Sequence, residues 1–186
     1  MMRFAVVLVL IVLLSTSAAF AQGIGGVVGL FADPGGTMCN LWDTIPGLLS
    51  VYVVHIWHDG ATVLQFSAPQ PDCFIGIWLS DTIVFPVTIG NSQTGVVIGY
   101  GYCASAPTHV LIINYFVQAL TGPCCPYRVL PDPSLPSGQI EVWDCASNLV
   151  FADGGRAIIN PDQSCMCDYP VPVVETTWGQ IKAQYQ

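Results

Sequence analysis

Eight cysteines constrain the fold of this chain more than any other feature of its sequence. They are Cys39, Cys73, Cys103, Cys124, Cys125, Cys145, Cys165 and Cys167. Cys124 and Cys125 are adjacent, and a bridge between neighbours would strain the peptide that joins them. We therefore predict that these two cysteines bond to different partners and tether two parts of the fold to one proline-rich loop.

A disulfide framework is favoured over a metal site for these thiols. Structural zinc sites prefer Cys-x2-Cys pairs or histidines at ligand spacing, and the sequence contains neither pattern. An even number of cysteines is typical of disulfide frameworks in exported chains. We predict that every cysteine is disulfide-bonded, although the sequence does not choose among the pairings.

The N-terminus predicts export. Arg3 precedes an apolar block over residues 4–14, and Ala19 and Ala21 form an Ala-x-Ala cleavage signature. The block is too short to cross a bilayer core of about 30 Å as a stable helix, so an uncleaved anchor is the weaker alternative. We predict a signal peptide over residues 1–21 and a secreted or extracellular mature protein without a membrane span. The cell surface and the periplasm both remain open as its location.

Composition indicates a single domain of buried sheets and limits the partners. Apolar residues make up 53% of the chain and charged residues only 9%. Few charges and many β-branched residues favour sheets over a helical surface covered with ion pairs. Twelve acidic residues stand against four basic ones, for a net charge of −8. Such a surface excludes nucleic acids as partners and disfavours anionic membranes.

Hydrophobic alternation and turn signals predict a β-sandwich domain over residues 22–168. The clearest strand covers residues 49–57, and Asp59-Gly60 after it is a hairpin-turn signal. About nine short strands indicate a sandwich, with a barrel as the second choice. The other candidate strands cover residues 27–32, 62–67, 75–79, 83–89, 96–103, 109–118, 139–144 and 148–152, with a last short one at 157–159. Residues 121–138 are predicted to be a loop.

The C-terminal residues 169–186 differ in character from the domain. Two prolines near their start indicate a stiff, extended spacer, and the sequence after the spacer fits a short amphipathic helix. Trp178, Ile181 and Tyr185 would form its apolar stripe. A helix this short is unstable alone in water. We therefore predict that these three side chains bind a surface, either on the sandwich itself or on another molecule.

Three segments carry a resemblance to known proteins. They are Gly-Leu-Phe-Ala-Asp at 29–33, Phe-Pro-Val-Thr-Ile-Gly-Asn-Ser-Gln-Thr-Gly at 85–95 and Thr-Thr-Trp-Gly-Gln-Ile-Lys at 176–182. Through them the chain resembles secreted β-sandwich proteins of uncultured bacteria. Its strand order is also loosely similar to cohesin-like and immunoglobulin-like sandwiches, a likeness of fold that transfers no functional residue. The resemblance implies an exported sandwich and assigns it no activity.

The histidines and four aspartates are the candidate metal ligands of this sequence. His55 and His58 are three residues apart on the predicted strand 49–57, which should place them on opposite faces and prevent chelation unless the hairpin bends between them. We predict a buried or hydrogen-bonded His55, a turn-flanking His58 and no cofactor. Calcium is the one cation kept open, because four aspartates lie in predicted turns. They are Asp33, Asp59, Asp153 and Asp162.

The sequence does not predict an enzyme. The residue types of a catalytic triad are present in His109, Ser105 and Asp81. No Gly-x-Ser-x-Gly motif supports a triad, however. Nothing constrains Glu141 and Asp144 to act as the paired carboxylates of a glycosidase. We predict no catalytic residue, and a secreted hydrolase with an unrecognised site is the alternative.

The leading hypothesis is a secreted, non-catalytic structural or binding module of the cell exterior, with a protein or a glycan as its partner. A carbohydrate-binding or calcium-dependent adhesion module is the other alternative. Exposed tryptophans would favour sugar binding, whereas large aromatic side chains in sandwiches usually lie in the core. Trp57, Trp78 and Trp143 are expected in the core, and Trp42 is expected to be the most exposed.

Overall fold

The computed structural model describes residues 25–45 and 47–167, which form twelve strands. The strands are β1 (Val27–Phe31), β2 (Asn40–Leu41), β3 (Gly47–Ile56), β4 (Ala61–Phe66), β5 (Gly76–Ile83), β6 (Val87–Asn91), β7 (Gly95–Ala104), β8 (Thr108–Val117), β9 (Cys125–Arg128), β10 (Ile140–Asp144), β11 (Leu149–Gly154) and β12 (Arg156–Ile159). These residues contain no helix, and therefore none that is long and apolar enough to cross a membrane. The predicted all-β class is confirmed.

Nine of the strands form one curled sheet in the order β5-β8-β3-β1-β11-β10-β4-β7-β6, and β2-β12-β9 form a smaller one. The large sheet is antiparallel except where β1 pairs with β11. Its two edge strands, β5 and β6, approach each other at one point. There Asp81 of β5 accepts hydrogen bonds from the backbone N–H (2.6 Å) and the hydroxyl (2.8 Å) of Ser92, the residue after β6. The two layers expected of a sandwich are thus halves of a sheet that nearly closes into a barrel.

The core lies between the two halves of the curled sheet. Alternate residues of the strands point inward, as with Val51 and Val53 of β3 and Ile98 of β7. Polar groups inside are paired: the buried hydroxyls of Tyr115 and Tyr127 are 2.6 Å apart, and Tyr127 donates to the Ala68 carbonyl at 2.9 Å. Burial raises the pKa of Tyr115 to about 12, so these hydroxyls keep their protons.

A second apolar cluster covers part of the opposite side of β1 and β3. Phe31, Val54 and Ile56 point away from the main core and pack with Ile158 of β12. The disulfide between Cys39 and Cys167 joins the same cluster. The small sheet is therefore held against the large one partly by these contacts and partly by a covalent bond.

Four disulfides involve all eight cysteines, and the adjacent pair bonds to two partners as predicted. The bridges are Cys39–Cys167, Cys73–Cys125, Cys103–Cys145 and Cys124–Cys165. Three of them form a covalent ring: the peptide between the adjacent cysteines joins two bridges, Cys165-Met166-Cys167 joins the third, and the main chain from Cys39 to Cys73 closes the ring. This ring, called the cysteine ring below, ties β9 to the segment before β2, the segment before β5 and the chain after β12.

Several strand predictions need correction. The predicted strand over 83–89 is wrong: β5 continues through Ile83, the chain breaks at residues 84–86, and β6 begins at Val87. Pro86 has no N–H to donate to a ladder, which explains the break. The predicted loop 121–138 contains β9, in which Pro126 is tolerated because β9 is the edge of the small sheet. The two-residue β2 was not predicted.

Some predicted features lie outside the described residues. They are the signal peptide over residues 1–21 and the C-terminal spacer and tail over 169–186, including Trp178, Ile181 and Tyr185. These remain predictions.

Candidate functional site

The two histidines of the β3–β4 hairpin lie together, contrary to expectation. Their rings stack with centroids 3.9 Å apart and planes 23° apart, so the prediction of opposite faces was wrong. Trp57 between them has a left-handed backbone with φ of 58°. That conformation turns the chain back at the end of β3 and folds His58 over His55.

Every ring nitrogen of this pair has a neighbour in the protein. His55 donates through Nε2 to the Gly25 carbonyl at 2.6 Å, which leaves Nδ1 to accept from the Tyr100 hydroxyl at 3.1 Å. His58 accepts the Gly60 N–H at Nδ1, and its Nε2 lies 3.4 Å from the Thr108 hydroxyl. The pair is thus a buried structural element and not an open set of metal ligands.

Burial sets the protonation state of both rings. Desolvation, reinforced by the nearby His58, lowers the pKa of His55 to about 3, although its hydrogen bond to Gly25 opposes the shift. Desolvation also lowers the pKa of His58, against the opposing charge of Asp59. Both imidazoles are therefore neutral near pH 7, in agreement with their hydrogen bonds.

Replacing Tyr100 with phenylalanine is expected to lower the free energy of unfolding by about 1–3 kcal/mol, because Nδ1 of His55 would lose its donor while staying buried. Urea unfolding measures the loss. The matched control is Tyr102→Phe in the same strand, since that side chain is exposed. An equal loss in the two variants would show that the hydrogen bond to His55 is unimportant.

The structure does not assemble a catalytic triad from His109, Ser105 and Asp81. Asp81 is engaged by Ser92 and by the indole N–H of Trp78 at 3.1 Å. On the β5–β8 ladder Asp81 lies opposite Ile113, four residues along β8 from His109, a separation of roughly 13 Å at strand geometry. These residues form no catalytic constellation.

The remaining carboxylates mostly serve local structure. Glu141 is buried and accepts from Ser137, whereas Asp144 accepts backbone N–H groups in the turn after β10. Asp33 and Asp162, two of the four aspartates considered for calcium, likewise cap turns. Within 25–45 and 47–167, the one group of three metal-ligand types within 4.8 Å contains Asp162 and the two cysteines of one disulfide. Calcium binding remains a prediction.

Trp42 is exposed as expected, whereas the three tryptophans expected in the core are only partly buried. Trp42 is 54% exposed. Trp78 is partly buried against the main core, Trp57 is partly buried against the second cluster, and Trp143 is half-buried in β10. No row of exposed tryptophans occurs among these four residues.

The most unusual surface of the described chain is apolar. The side of β3, β8 and β5 that points away from the core is called the outer face, and its uncovered part consists of Leu48, Ser50, Ile77, Ser80, Thr82, Ile112, Asn114 and Phe116. Leu48 lies opposite Phe116, and Phe116 lies opposite Ile77, so the three form one row across three strands. They are 71%, 41% and 49% exposed. Large apolar side chains grouped in this way mark interaction surfaces.

Three of the polar side chains beside them are already hydrogen-bonded to one another. Ser50 donates to the side-chain oxygen of Asn114 at 2.9 Å, and the amide of Asn114 donates to the Thr82 hydroxyl at 2.9 Å. No residue of the outer face as defined carries a charge. A partner that covers this face would bury no charged group and would leave few hydrogen-bonding groups without a partner.

Sequence reasoning missed this face. Leu48, Ile77 and Phe116 belong to strands with apolar residues at both alternating sets of positions, a pattern that indicates burial on both sides. The signal was therefore present in the continuous apolar runs of β3, β5 and β8. Only the structure shows that one of the two sides is uncovered.

Comparison with known proteins identifies no family for this chain. No family model matches the chain. No curated protein matches it. Among solved structures it is similar to the cohesin module of a family 33 glycoside hydrolase from Clostridium perfringens, with 7% identity over 75% of this chain and 99% of that module and a TM-score of 0.47. The likeness is one of overall shape, and no role is transferred from that module to this chain.

Proposed function

We propose that this protein is an exported, non-catalytic binding module whose outer face docks on an apolar surface of another protein. The observation that carries the proposal is the exposed row of Leu48, Phe116 and Ile77, aligned by strand register. Burying such side chains contributes roughly 25 cal/mol for each Å² of apolar surface removed from water. A rigid sheet loses little conformational entropy when it presents them.

The chemistry of the face favours an apolar protein surface as its occupant. The chain carries a net charge of −8, yet the outer face has no charged residue with which to attract or repel a partner. A glycan needs several unpaired donors and acceptors, whereas Ser50, Asn114 and Thr82 already bond to one another and Ser80 offers a single hydroxyl. Hydrophobic contact is the interaction that remains.

Two further observations support the export and the lack of catalysis. Four disulfides are typical of proteins that mature in an oxidising compartment, which agrees with the predicted signal peptide over residues 1–21. The candidate triad of His109, Ser105 and Asp81 does not assemble, and the buried histidine pair has no free nitrogen.

Site-specific photocrosslinking tests the docking face. A photoreactive amino acid at Phe116 is expected to capture one discrete protein when the full chain is made by its native cells, and Leu48→Lys should reduce the yield at least about tenfold, because a charge would be buried against an apolar surface. The same photoreactive residue at Leu149, an exposed position on β11, is the matched control.

The outcomes are separable. Capture of a second copy of this chain through Phe116 would replace the proposed partner with a dimer. Equal capture from Phe116 and Leu149, or no effect of Leu48→Lys, would overturn the proposal. Circular dichroism and melting of Leu48→Lys establish that the variant is folded.

A glycan remains the second candidate, and it depends on Trp42. This indole is exposed beside Asp43 in the loop after β2, and an exposed indole can stack on a sugar ring. A glycan array probed with the intact protein and with Trp42→Ala tests it. Trp42-dependent binding to a neutral sugar would favour this alternative over the protein partner.

A further inference from the structure

The two arginines of the described chain lie directly opposite each other. Arg128 ends β9, Arg156 begins β12, and they are Cα partners on the antiparallel ladder. Partners on such a ladder project from the same face with Cβ atoms about 4.5–5.5 Å apart. Residues 25–45 and 47–167 contain no other arginine and no lysine, so this pair concentrates their basic charge at one place.

The pair has no structural explanation in the described part of the chain. Like charges directly opposite on a ladder are destabilising. Both side chains are exposed, and neither makes an ion pair or a side-chain hydrogen bond there. None of the acidic residues in the same ranges neutralises them. Two unpaired guanidinium groups held together in an acidic protein form a receptor for an anion.

Both arginines line the same open cleft, called the arginine cleft below, of about 490 Å³, within the range of roughly 300–1,000 Å³ typical of small-ligand sites. Phe151 and Leu130 give it exposed apolar walls. Gln139 contributes a side-chain amide without a hydrogen-bond partner among the described residues. The cleft therefore joins cationic forks, an aromatic surface and an amide.

We propose that the arginine cleft binds the carboxylate of an acidic sugar, with Arg128 and Arg156 holding the carboxylate and Phe151 lying against the ring. A guanidinium fork matches the two oxygens of a carboxylate. Aromatic side chains offer an apolar surface to a ring, and an amide such as that of Gln139 both donates to and accepts from hydroxyl groups. An acidic peptide lacks a ring for the aromatic wall, which makes the sugar the better match.

Asp153 restricts the charge density of the ligand. It lines the same cleft, and its carboxylate pairs with neither arginine. An anion that carries one charge per ring can place that charge at the arginines and keep the next one away from Asp153. Densely charged polyanions meet both this carboxylate and the overall charge of −8. The cleft thus selects a sugar chain with one carboxylate per ring over a polyphosphate.

Calorimetric titration with the trimer of galacturonic acid tests the site on the intact protein. Arg128→Gln and Arg156→Gln are each expected to weaken binding about tenfold or more, as for the loss of a charge-assisted hydrogen bond. Asp153→Asn should tighten binding, because it removes a repulsive carboxylate. Asp59→Asn changes the net charge equally at a position outside the cleft and should leave the affinity within about twofold.

Comparison ligands decide the specificity. The neutral galactose trimer is expected not to bind, and triglutamate is expected to bind at least about tenfold more weakly than the acidic trimer. Equal affinity for triglutamate would replace the sugar with an acidic peptide. Binding that is unchanged in both arginine variants, or no binding of the acidic trimer, would overturn the site. Melting curves of the arginine variants, expected at or above the parent temperature, establish that they are folded.

The arginine cleft is independent of the outer face. The cleft is formed by β9, β11 and β12 with the segments beside them, whereas the outer face belongs to β3, β5 and β8. Leu48→Lys should therefore leave binding of the acidic trimer unchanged. Failure of either experiment does not decide the other.

Discussion

Serine at both Cys124 and Cys165 is expected to lower the free energy of unfolding by about 4 kcal/mol, as the chain-entropy model gives for a loop of this length. The two residues are 41 positions apart. Their loss opens the cysteine ring, so that the Cys73–Cys125 and Cys39–Cys167 bridges are no longer linked through a third disulfide. Guanidinium unfolding of the parent and the variant, without added reductant or oxidant, measures the difference in the free energy of unfolding.

The control for this prediction is the bridge outside the cysteine ring. Cys103 and Cys145 are 42 positions apart, so their replacement by serine should cost a similar free energy and should add to the first loss. Peptide mapping of the variant with serine at Cys124 and Cys165 should still show the Cys39–Cys167 and Cys73–Cys125 bridges. A loss below about 1 kcal/mol would mean that the bridge constrains the unfolded chain far less than the model requires.

Acid is expected to destabilise the protein well before its carboxylates titrate. The pKa of His55 is about 3 in the folded protein, against about 6.5 when unfolded. The unfolded state therefore binds more protons below pH 6.5, and stability falls as the pH drops from 6.5 toward 3. The slope is about 1.4 kcal/mol per pH unit, which amounts to about 2 kcal/mol between pH 7 and pH 5. His58 contributes with the same sign, because its pKa is also lowered.

The variant His55→Gln isolates this effect. Glutamine does not titrate, so the stability of the variant should fall by about 2 kcal/mol less than that of the parent between pH 7 and pH 5, even if the variant is less stable at pH 7. The groups that face His55 are Tyr100, the Gly25 carbonyl and His58, and the two uncharged groups do not change between these pH values. Parallel stability profiles for the parent and the variant would refute the assignment. His109→Gln controls for a less buried histidine.

The cysteine pattern was the most informative local feature. Adjacent cysteines rarely bond to each other for reasons of covalent geometry alone, so the separate partners of Cys124 and Cys125 were predictable. Which partners they reach was not predictable, because pairing depends on where β5, β9 and the chain after β12 meet. The cysteine ring is therefore a product of the tertiary structure.

The histidine pair shows that strand periodicity does not predict side-chain positions beyond the end of a strand. A step of three residues puts His55 and His58 on opposite faces only while the chain stays extended. The left-handed residue Trp57 ends the strand and reverses that outcome. The sequence does not predict this conformation at a tryptophan, since glycine and asparagine are the residues that usually adopt it.

The two candidate sites were hidden for a related reason. Arg128 and Arg156 are far apart in sequence, and Arg128 lies in a segment that reads as a proline-rich loop. Their juxtaposition depends on the register between β9 and β12. The outer face depends likewise on which side of β3, β5 and β8 receives a covering layer.

By itself the sequence determined the all-β class, the saturation of the cysteines with bridges and most of the turn positions, and its net charge predicts that nucleic acid is not a partner. These properties follow from residue type, local alternation and net charge, which act over a few neighbouring residues or over the whole chain at once. The tertiary structure alone decided the near-closure of the sheet, the disulfide pairing, the stacking of His55 on His58, the bare apolar face and the arginine cleft. Each of these depends on contacts between residues that are distant in the chain, and such contacts are set by the competition among all strands for partners and for burial.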